Sequence, residues 1–543
     1  QLAALLRVLV ELYQGVPRRG RSLSFPAVRA AALGSLERAL AGSRGRVRLA
    51  GPEPVLRRVR RLVEPVPELG ATVHGLRATL RPYQRAGVAF LQHLRELEAG
   101  GVLADDMGLG KTLQTIAHLC VEKARRRLDK PALIVAPTSV VPNWARELAR
   151  FAPHLRVVVL TGAARRERFL GIAHAEVVLT SYPLVVRDEE LLLAQAFSTL
   201  VLDEAQAIKN VRSLASQALR RFDTEHRICL TGTPIENHLG ELWSIVDFLS
   251  PGLLGDELSF RRCYRQPIEE ARDAERVLAL RDQVAPYVLR RVKHDVAPEL
   301  PPKTELLCPV ELEGPQRELY ENIRLAAHGD VRRLIRAKGL AACTVPVLDA
   351  LLKLRQVCCD PRLLSLEAAR GVTASAKFDA LLELLDAQLA ARHRVLVFSQ
   401  FTSMLDLVAE ALRARGIAHL ALTGATRERQ RVVDAFEAGA ADVFLISLKA
   451  GGTGLNLTSA DSVVHYDPWW NPAAQTQATD RAYRIGQDKP VFVHRLYVAG
   501  SVEERVIHLQ QKKAELAQAI LGVGATALDW TEGDVEGLFA PLG

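Results

Sequence analysis

From Leu76 onward the apolar residues gather into short runs, each ending in a loop of Gly, Thr and Asp: "GVLADDM", "PALIVAPT", "VVVLTG", "EVVLTSY", "TLVLDEA" and "HRICLTGTP". Between them the apolar positions recur at helical spacing. Buried strands alternating with helices predict a parallel α/β sheet, whose ligands sit at the carboxyl ends of the strands. The rhythm stops after Pro234, and residues 236–372 read mostly as helix punctuated by prolines, including "ELPPKTE" at 299–305. It resumes with "AKFDALLELLDAQLAARHRVLVFSQF", an amphipathic helix feeding a strand, and continues through "AHLALTG", "DVFLISL", "SVVHYDP" and "PVFVHRLYV". The chain is thus expected to hold two α/β lobes, at 76–235 and 373–500, joined by a helical insertion and linker at 236–372. A C-terminal helix and tail are expected over 501–543, where "SVEERVIHLQQKKAELAQAI" has helical spacing. Residues 1–75, with the cluster "RRVRRL" and several prolines, are expected to be the end of an upstream accessory region.

The 543 residues are 48% apolar, enough for several cores. Seven cysteines without a C-x-x-C pair indicate neither a disulfide framework nor a thiolate zinc site, which favours a reducing compartment. Every apolar run is broken by charge or proline well short of the roughly 18 residues that would span a bilayer, so no membrane association is expected and the protein is placed in the cytoplasm, at the nucleoid. A formal charge of +9, from 71 basic and 62 acidic residues, favours a polyanionic partner without naming it. An arginine-rich solvated surface would give the same balance.

The candidate chemistry begins at "DDMGLGKT", residues 105–112. A phosphate-binding loop points backbone N–H groups at the phosphates, sets a lysine against their charge and offers a hydroxyl to Mg²⁺. Gly108, Gly110, Lys111 and Thr112 fill those roles, but Asp105 stands where the full pattern has its first glycine. The strand end "TLVLDEAQAIKN" supplies Asp203 to hold Mg²⁺ and Glu204 to orient or deprotonate the attacking water. Gln84 could pair its carboxamide with an adenine edge. In "LTGTP", Thr231 and Thr233 suit a sensor of the nucleotide, with a plain strand-to-loop turn as the alternative. In "QATDRAYRIGQ", Gln477, Arg481 and Arg484 fall at i, i+4 and i+7, so on a helix they would share one face from which two guanidinium groups could reach a γ-phosphate. A solvated basic face is the alternative there.

Together "LADDMGLGKT", "DEAQAIKN", "LTGTPIEN", "LRRVKHDVAPELPPKTE", "LVFSQFT", "SLKAGGTGLNLT" and "HYDPWWNPAAQTQATDRAYRIGQ" resemble the SWI/SNF-type ATPases of helicase superfamily two, over residues 76 to about 515. The resemblance implies two RecA-like lobes of the P-loop NTPase kind with ATP and Mg²⁺ between them, moving along the minor groove of double-stranded DNA without strand separation. Carried over by motif, Gln84, Asp106, Met107, Gly108, Leu109, Gly110, Lys111, Thr112 and Gln477 hold the nucleotide. Thr112 and Asp203 hold the metal, Asp203 and Glu204 catalyse, and Arg481 and Arg484 act as arginine fingers. DNA tracking falls to Thr138, Asn143, Trp144, Ser399, Gln400, Lys449, Gly452, Thr453 and Asn456, while Trp469 and Trp470 are expected to pack their own loop. Gln206 stands where most of the family has histidine; it can still hydrogen-bond to Thr231, so hydrolysis is expected to survive, with coupling through Gln206, Thr231, Gly232 and Thr233. Acid, base and fingers together favour a duplex DNA translocase that remodels protein–DNA complexes. The alternatives are a motor that recycles RNA polymerase and a nucleotide-gated DNA-binding scaffold.

Overall fold

The computed structural model describes residues 64–70, 72–232, 238–271, 273–338, 344–451, 455–470, 472–508, 510 and 537–542, with a few positions upstream of 64. The chain divides into two compact units, one reaching Val296 and the other beginning at Ala297.

The first unit is built on seven strands: β1 (Gly101–Leu103), β2 (Ala132–Ala136), β3 (Val157–Val159), β4 (Val177–Ser181), β5 (Thr199–Asp203), β6 (His226–Leu230) and β7 (Val288–Leu289). They lie in the order β3-β4-β2-β5-β6-β1-β7, and every pairing is parallel. All five residues of β2 are buried, which is what a strand covered by helices on both faces demands. Leu133, Val135, Leu200, Leu202 and Cys229 project into one apolar cluster with Ile245 and Phe248. Three helices frame the loops at the strand ends: α1 (Pro82–Glu96), α2 (Lys111–Ala124) and α3 (Val141–Phe151).

The second unit repeats the plan with β8 (Lys303–Val310), β9 (Val395–Ser399), β10 (His419–Leu422), β11 (Val443–Ser447), β12 (Ser462–His465) and β13 (Val491–Val498). Its order is β8-β13-β12-β9-β11-β10, again all parallel. The expected α/β class with two parallel sheets is what the chain adopts. The stretch 236–372, read as mostly helix, also contains β7 and β8. The first is a two-residue strand, and the second is an edge strand with most of its residues exposed, so neither produces the apolar run that betrays a buried strand. β8 is held instead by eight residues of parallel register, Lys303↔Val491 through Val310↔Val498. Residues 502–508 are helical as expected, and the rest of that predicted helix lies outside the described residues. Among the described residues no helix is long and apolar enough to cross a membrane.

Candidate active site

Sheet order assembles the first constellation. The phosphate loop follows β1, Asp203 ends β5 and Thr231 follows β6, and these strands are neighbours in the order β5-β6-β1. Parallel pairing then delivers segments far apart in sequence to one edge of the sheet.

Gly108 and Gly110 take left-handed conformations, φ 84° and 76°, and Gly110 caps α2. A Cβ on Gly110 would also lie 2.7 Å from Gln84 Nε2, so glycine is required there twice over. The Leu109 carbonyl accepts from Tyr83 Oη at 3.1 Å, Gln84 Nε2 at 3.3 Å and Gln114 Nε2 at 3.3 Å. Because C=O and N–H point opposite ways across a trans peptide, these three donors also fix the direction of the Gly110 N–H, at the N-terminus of α2. Gln84 Oε1 accepts from the Arg81 N–H at 3.0 Å, capping α1, so one half of its amide holds the helix start and the other the loop. Met107 lies against Gly232, where a Cβ would come within 3.0 Å of its Cγ.

The Lys111 ammonium donates to the carbonyls of Asp105 at 2.6 Å and Asp106 at 3.3 Å. Burial lowers its pKa, while Glu204, Asp105, Asp203 and Asp106 act to keep it charged. Asp203 Oδ2 accepts from the Trp144 indole at 2.7 Å and its Oδ1 from the Glu204 N–H at 2.9 Å. Burial, reinforced by the Glu204 carboxylate, pushes the Asp203 carboxyl up to about 7 against the pull of Trp144 and Lys111. Asp203 and Glu204 are adjoining carboxylates and Thr112 lies in the first turn of α2; oxygen donors of these kinds suit Mg²⁺. Glu204 itself sits at φ 51°. Its Oε2 accepts from Gln206 Nε2 at 2.8 Å, and Gln206 Oε1 accepts from Thr231 Oγ1 at 3.1 Å. A continuous hydrogen-bonded path thus runs from the carboxylate to the loop after β6. Thr233 lies outside the described residues.

Trp144, expected on DNA, is fully buried; its indole orients Asp203 and cannot touch a duplex. Asn143 is half-buried and donates to Glu147 at 2.9 Å, and Thr138 is exposed.

In the second unit the motif residues again follow neighbouring strands, β12, β9 and β11. Ser399 is fully buried and donates to Asp467 at 2.6 Å, which corrects its expected place on DNA. The Gln400 N–H also donates to Asp467, at 3.2 Å. Lys449 belongs to the short helix Leu448–Gly451, Asn456 is exposed, and Gly452 and Thr453 lie outside the described residues. Trp469 and Trp470, expected to pack their own loop, have their rings 5.9 and 5.1 Å from the buried guanidinium of Arg355 on the helix Thr344–Cys359, which also donates to the Pro468 carbonyl of that loop. The helical face expected for Gln477, Arg481 and Arg484 does not form. The helix Pro472–Thr479 holds Gln477 but stops before both arginines, where the backbone tightens into turns with Arg481 N–H on the Ala478 carbonyl at 3.2 Å and Arg484 N–H on the Ala482 carbonyl at 3.2 Å. Arg481 and Arg484 sit in the turns that follow, where Gln487 Nε2 donates to the carbonyls of Thr458, Ala460 and Ala482. Arg481 is buried, and Arg484 reaches the Leu455 carbonyl at 3.4 Å.

Sequence reasoning missed Tyr83, Gln114, Arg290 and Arg291, all bonded to the phosphate loop. The adjacent pairs "DD" at 105–106 and "RR" at 290–291 were visible, but nothing local in the chain joins them.

Residues 83–363 match the SNF2-related domain and residues 376–486 the helicase conserved C-terminal domain. The chain is 41% identical over 455 residues to YwqA of Bacillus subtilis (strain 168), which carries the name of an ATP-dependent helicase/translocase; the match covers 82% of this chain and 49% of that protein. It is 35% identical over 468 residues to the ISWI chromatin-remodeling complex ATPase ISW1 of Saccharomyces cerevisiae (strain ATCC 204508 / S288c), covering 83% of this chain and 41% of that one. Among solved structures it is similar to the Sulfolobus solfataricus SWI2/SNF2 ATPase core in complex with dsDNA, with 33% identity, coverage of 82% and 94%, and a TM-score of 0.43. The chain spans about half the length of the curated relatives it matches. With the SNF2-related domain over more than half of its residues and the helicase C-terminal domain behind it, this chain belongs to the SNF2 family of ATP-dependent helicase-like proteins.

Proposed function

We propose that this chain is the motor core of a protein that hydrolyses ATP with Mg²⁺ to move along double-stranded DNA, without separating its strands, and so to remodel protein–DNA complexes. The observation that carries this reading is the path Glu204–Gln206–Thr231 beside the phosphate loop: a carboxylate placed for water activation, wired to a second strand-end loop, suits a motor better than a passive nucleotide binder. The remodelling and translocase names of the relatives support the same direction. In this reading the Gly110 N–H and the Lys111 ammonium meet the phosphates, and Glu204 takes a proton from, or orients, the attacking water. Mg²⁺, when bound, would supply charge neutralisation to the nucleotide's phosphates, with Thr112 and Asp203 as the residues that would hold it. Gln206 keeps Glu204 turned toward its task in place of the family's usual histidine. Arg481 and Arg484 are assigned to the γ-phosphate. Thr138, Asn143, Gln400, Lys449, Gly452, Thr453 and Asn456 are assigned to the DNA backbone, Trp144 and Ser399 now excluded.

The test is ATPase rate with no nucleic acid, single-stranded DNA, duplex DNA and RNA in parallel. Duplex DNA is expected to stimulate most, and the stimulation to weaken steeply with salt as phosphate contacts release counterions. Equal stimulation by single strands would count against a duplex motor.

A further inference from the structure

The acids that interrupt the glycine pattern have partners far along the chain. Asp105 is fully buried, and Arg291 embraces its carboxylate, with Nε on Oδ1 at 2.8 Å and an Nη on Oδ2. That contact spans 186 positions of sequence. The same guanidinium donates to Gln114 Oε1 at 2.8 Å and to the Tyr83 carbonyl, and lies 5.2 Å from the Tyr83 ring. Gln114 and Tyr83 are two of the three groups that hold the Leu109 carbonyl. Arg290 takes the second acid, reaching Asp106 Oδ1 at 3.4 Å, and also donates to the carbonyls of Ala104 at 3.3 Å and Gly232 at 3.1 Å. The main chain closes the arrangement: Asp106 N–H donates to the Arg291 carbonyl at 3.0 Å, and Lys293 N–H to Asp106 Oδ2 at 3.0 Å.

We infer that Arg291, with Arg290 beside it, is a positioning residue of the phosphate loop, acting through Asp105 and Gln114 on the carbonyls that set Lys111 and the Gly110 N–H. The inference rests on the ATP reading above and goes beyond it, because neither arginine was assigned any part in nucleotide binding. The Asp105 carbonyl is the nearer resting place of the Lys111 ammonium, at 2.6 Å, so a shift of Asp105 displaces the lysine. Only a planar fork can hold both oxygens of Asp105 while reaching two further acceptors; a lysine keeps the charge and loses the geometry. Where the pattern has a glycine this chain has a built contact: β7 is fastened to the loop after β1 through the two arginines that follow it.

The experiment uses the full chain and measures ATP affinity, steady-state KM and kcat with duplex DNA, and thermal melting. Arg291→Met is expected to raise the ATP dissociation constant and KM about tenfold with a smaller change in kcat, and Arg291→Lys to recover only part of the loss. The double change Arg291→Met with Asp105→Asn should bind ATP better than Arg291→Met alone, since it removes the unpaired buried carboxylate. Arg165→Met is the comparison variant: Arg165 also forks onto a buried acid, Asp188, at 2.5 and 2.9 Å, away from the loop. It should lower melting without moving KM. An Arg291→Met variant whose KM shifts no more than that of Arg165→Met overturns the inference while leaving the ATP reading intact. A wild-type chain that binds no ATP overturns both.

Discussion

At the carboxyl end of the first sheet, β5 presents Asp203 and Glu204 side by side with Lys111 resting on main-chain carbonyls; at the same end of the second, β9 presents Ser399, its hydroxyl spent on Asp467. Around Asp467 the remaining charges have found partners. The buried Arg355 donates to the Pro468 carbonyl and lies 3.7 Å from Asp467 Oδ2, and Lys377 places its ammonium 2.6 and 2.7 Å from the two oxygens of Glu503. Both sheets are parallel, covered and apolar at the centre. They differ in what satisfies the charges at the strand ends: in the first, Lys111 and Asp203 lean on main-chain carbonyls, an indole and a main-chain N–H, whereas in the second Lys377 and Glu503 pair directly. A parallel sheet takes its ligands at the carboxyl ends of its strands, and ion pairing decides which charges at those ends stay available.

Glu204→Gln should produce the largest break in that comparison. It keeps the shape and the hydrogen bond with Gln206 but removes the base, so ATP binding should persist while turnover falls by about 10² to 10⁴, the range general-base catalysis supplies. Parallel measurement of ATP affinity and ATPase rate checks it; normal turnover would remove Glu204 from the role. A smaller effect of a different kind is expected in the second unit. Lys377→Met strands Glu503 in the interior and should cost about 3–5 kcal/mol of stability, read by denaturant unfolding, with much of it recovered in Lys377→Met with Glu503→Gln. ATP affinity below the melting range should stay unchanged. A loss of affinity without a loss of stability would mean that the Lys377–Glu503 pair does more than hold the second unit together.

Features carried by contiguous residues were legible in the sequence, and those made by distant pairs were not. The loop at 105–112, the acids at 203–204 and the buried strands announce themselves because glycine conformations, strand ends and apolar runs are local. The edge strand β8 stayed hidden because its residues are mostly exposed and its partner lies close to the end of the second sheet. Spacing puts Arg481 and Arg484 on a helix face, but it cannot reveal that the helix ends at Thr479 and gives way to tighter turns. Trp144 and Ser399 were drawn to DNA by motif membership, and only burial shows that each serves an acid inside its own unit. Gln206 shows the reverse: its bond to Thr231 was expected from donor and acceptor chemistry and is present at 3.1 Å.

The left-handed backbone of Glu204, φ 51°, places fitness and durability in opposition at a single position. A side chain with a Cβ is held there at a cost of roughly 1–2 kcal/mol that glycine would not incur. Selection for thermal resistance alone should therefore favour Glu204→Gly, and such a variant should melt higher than the parent while hydrolysing almost nothing. Any programme to harden this protein by consensus or directed evolution needs an activity screen that spares residue 204.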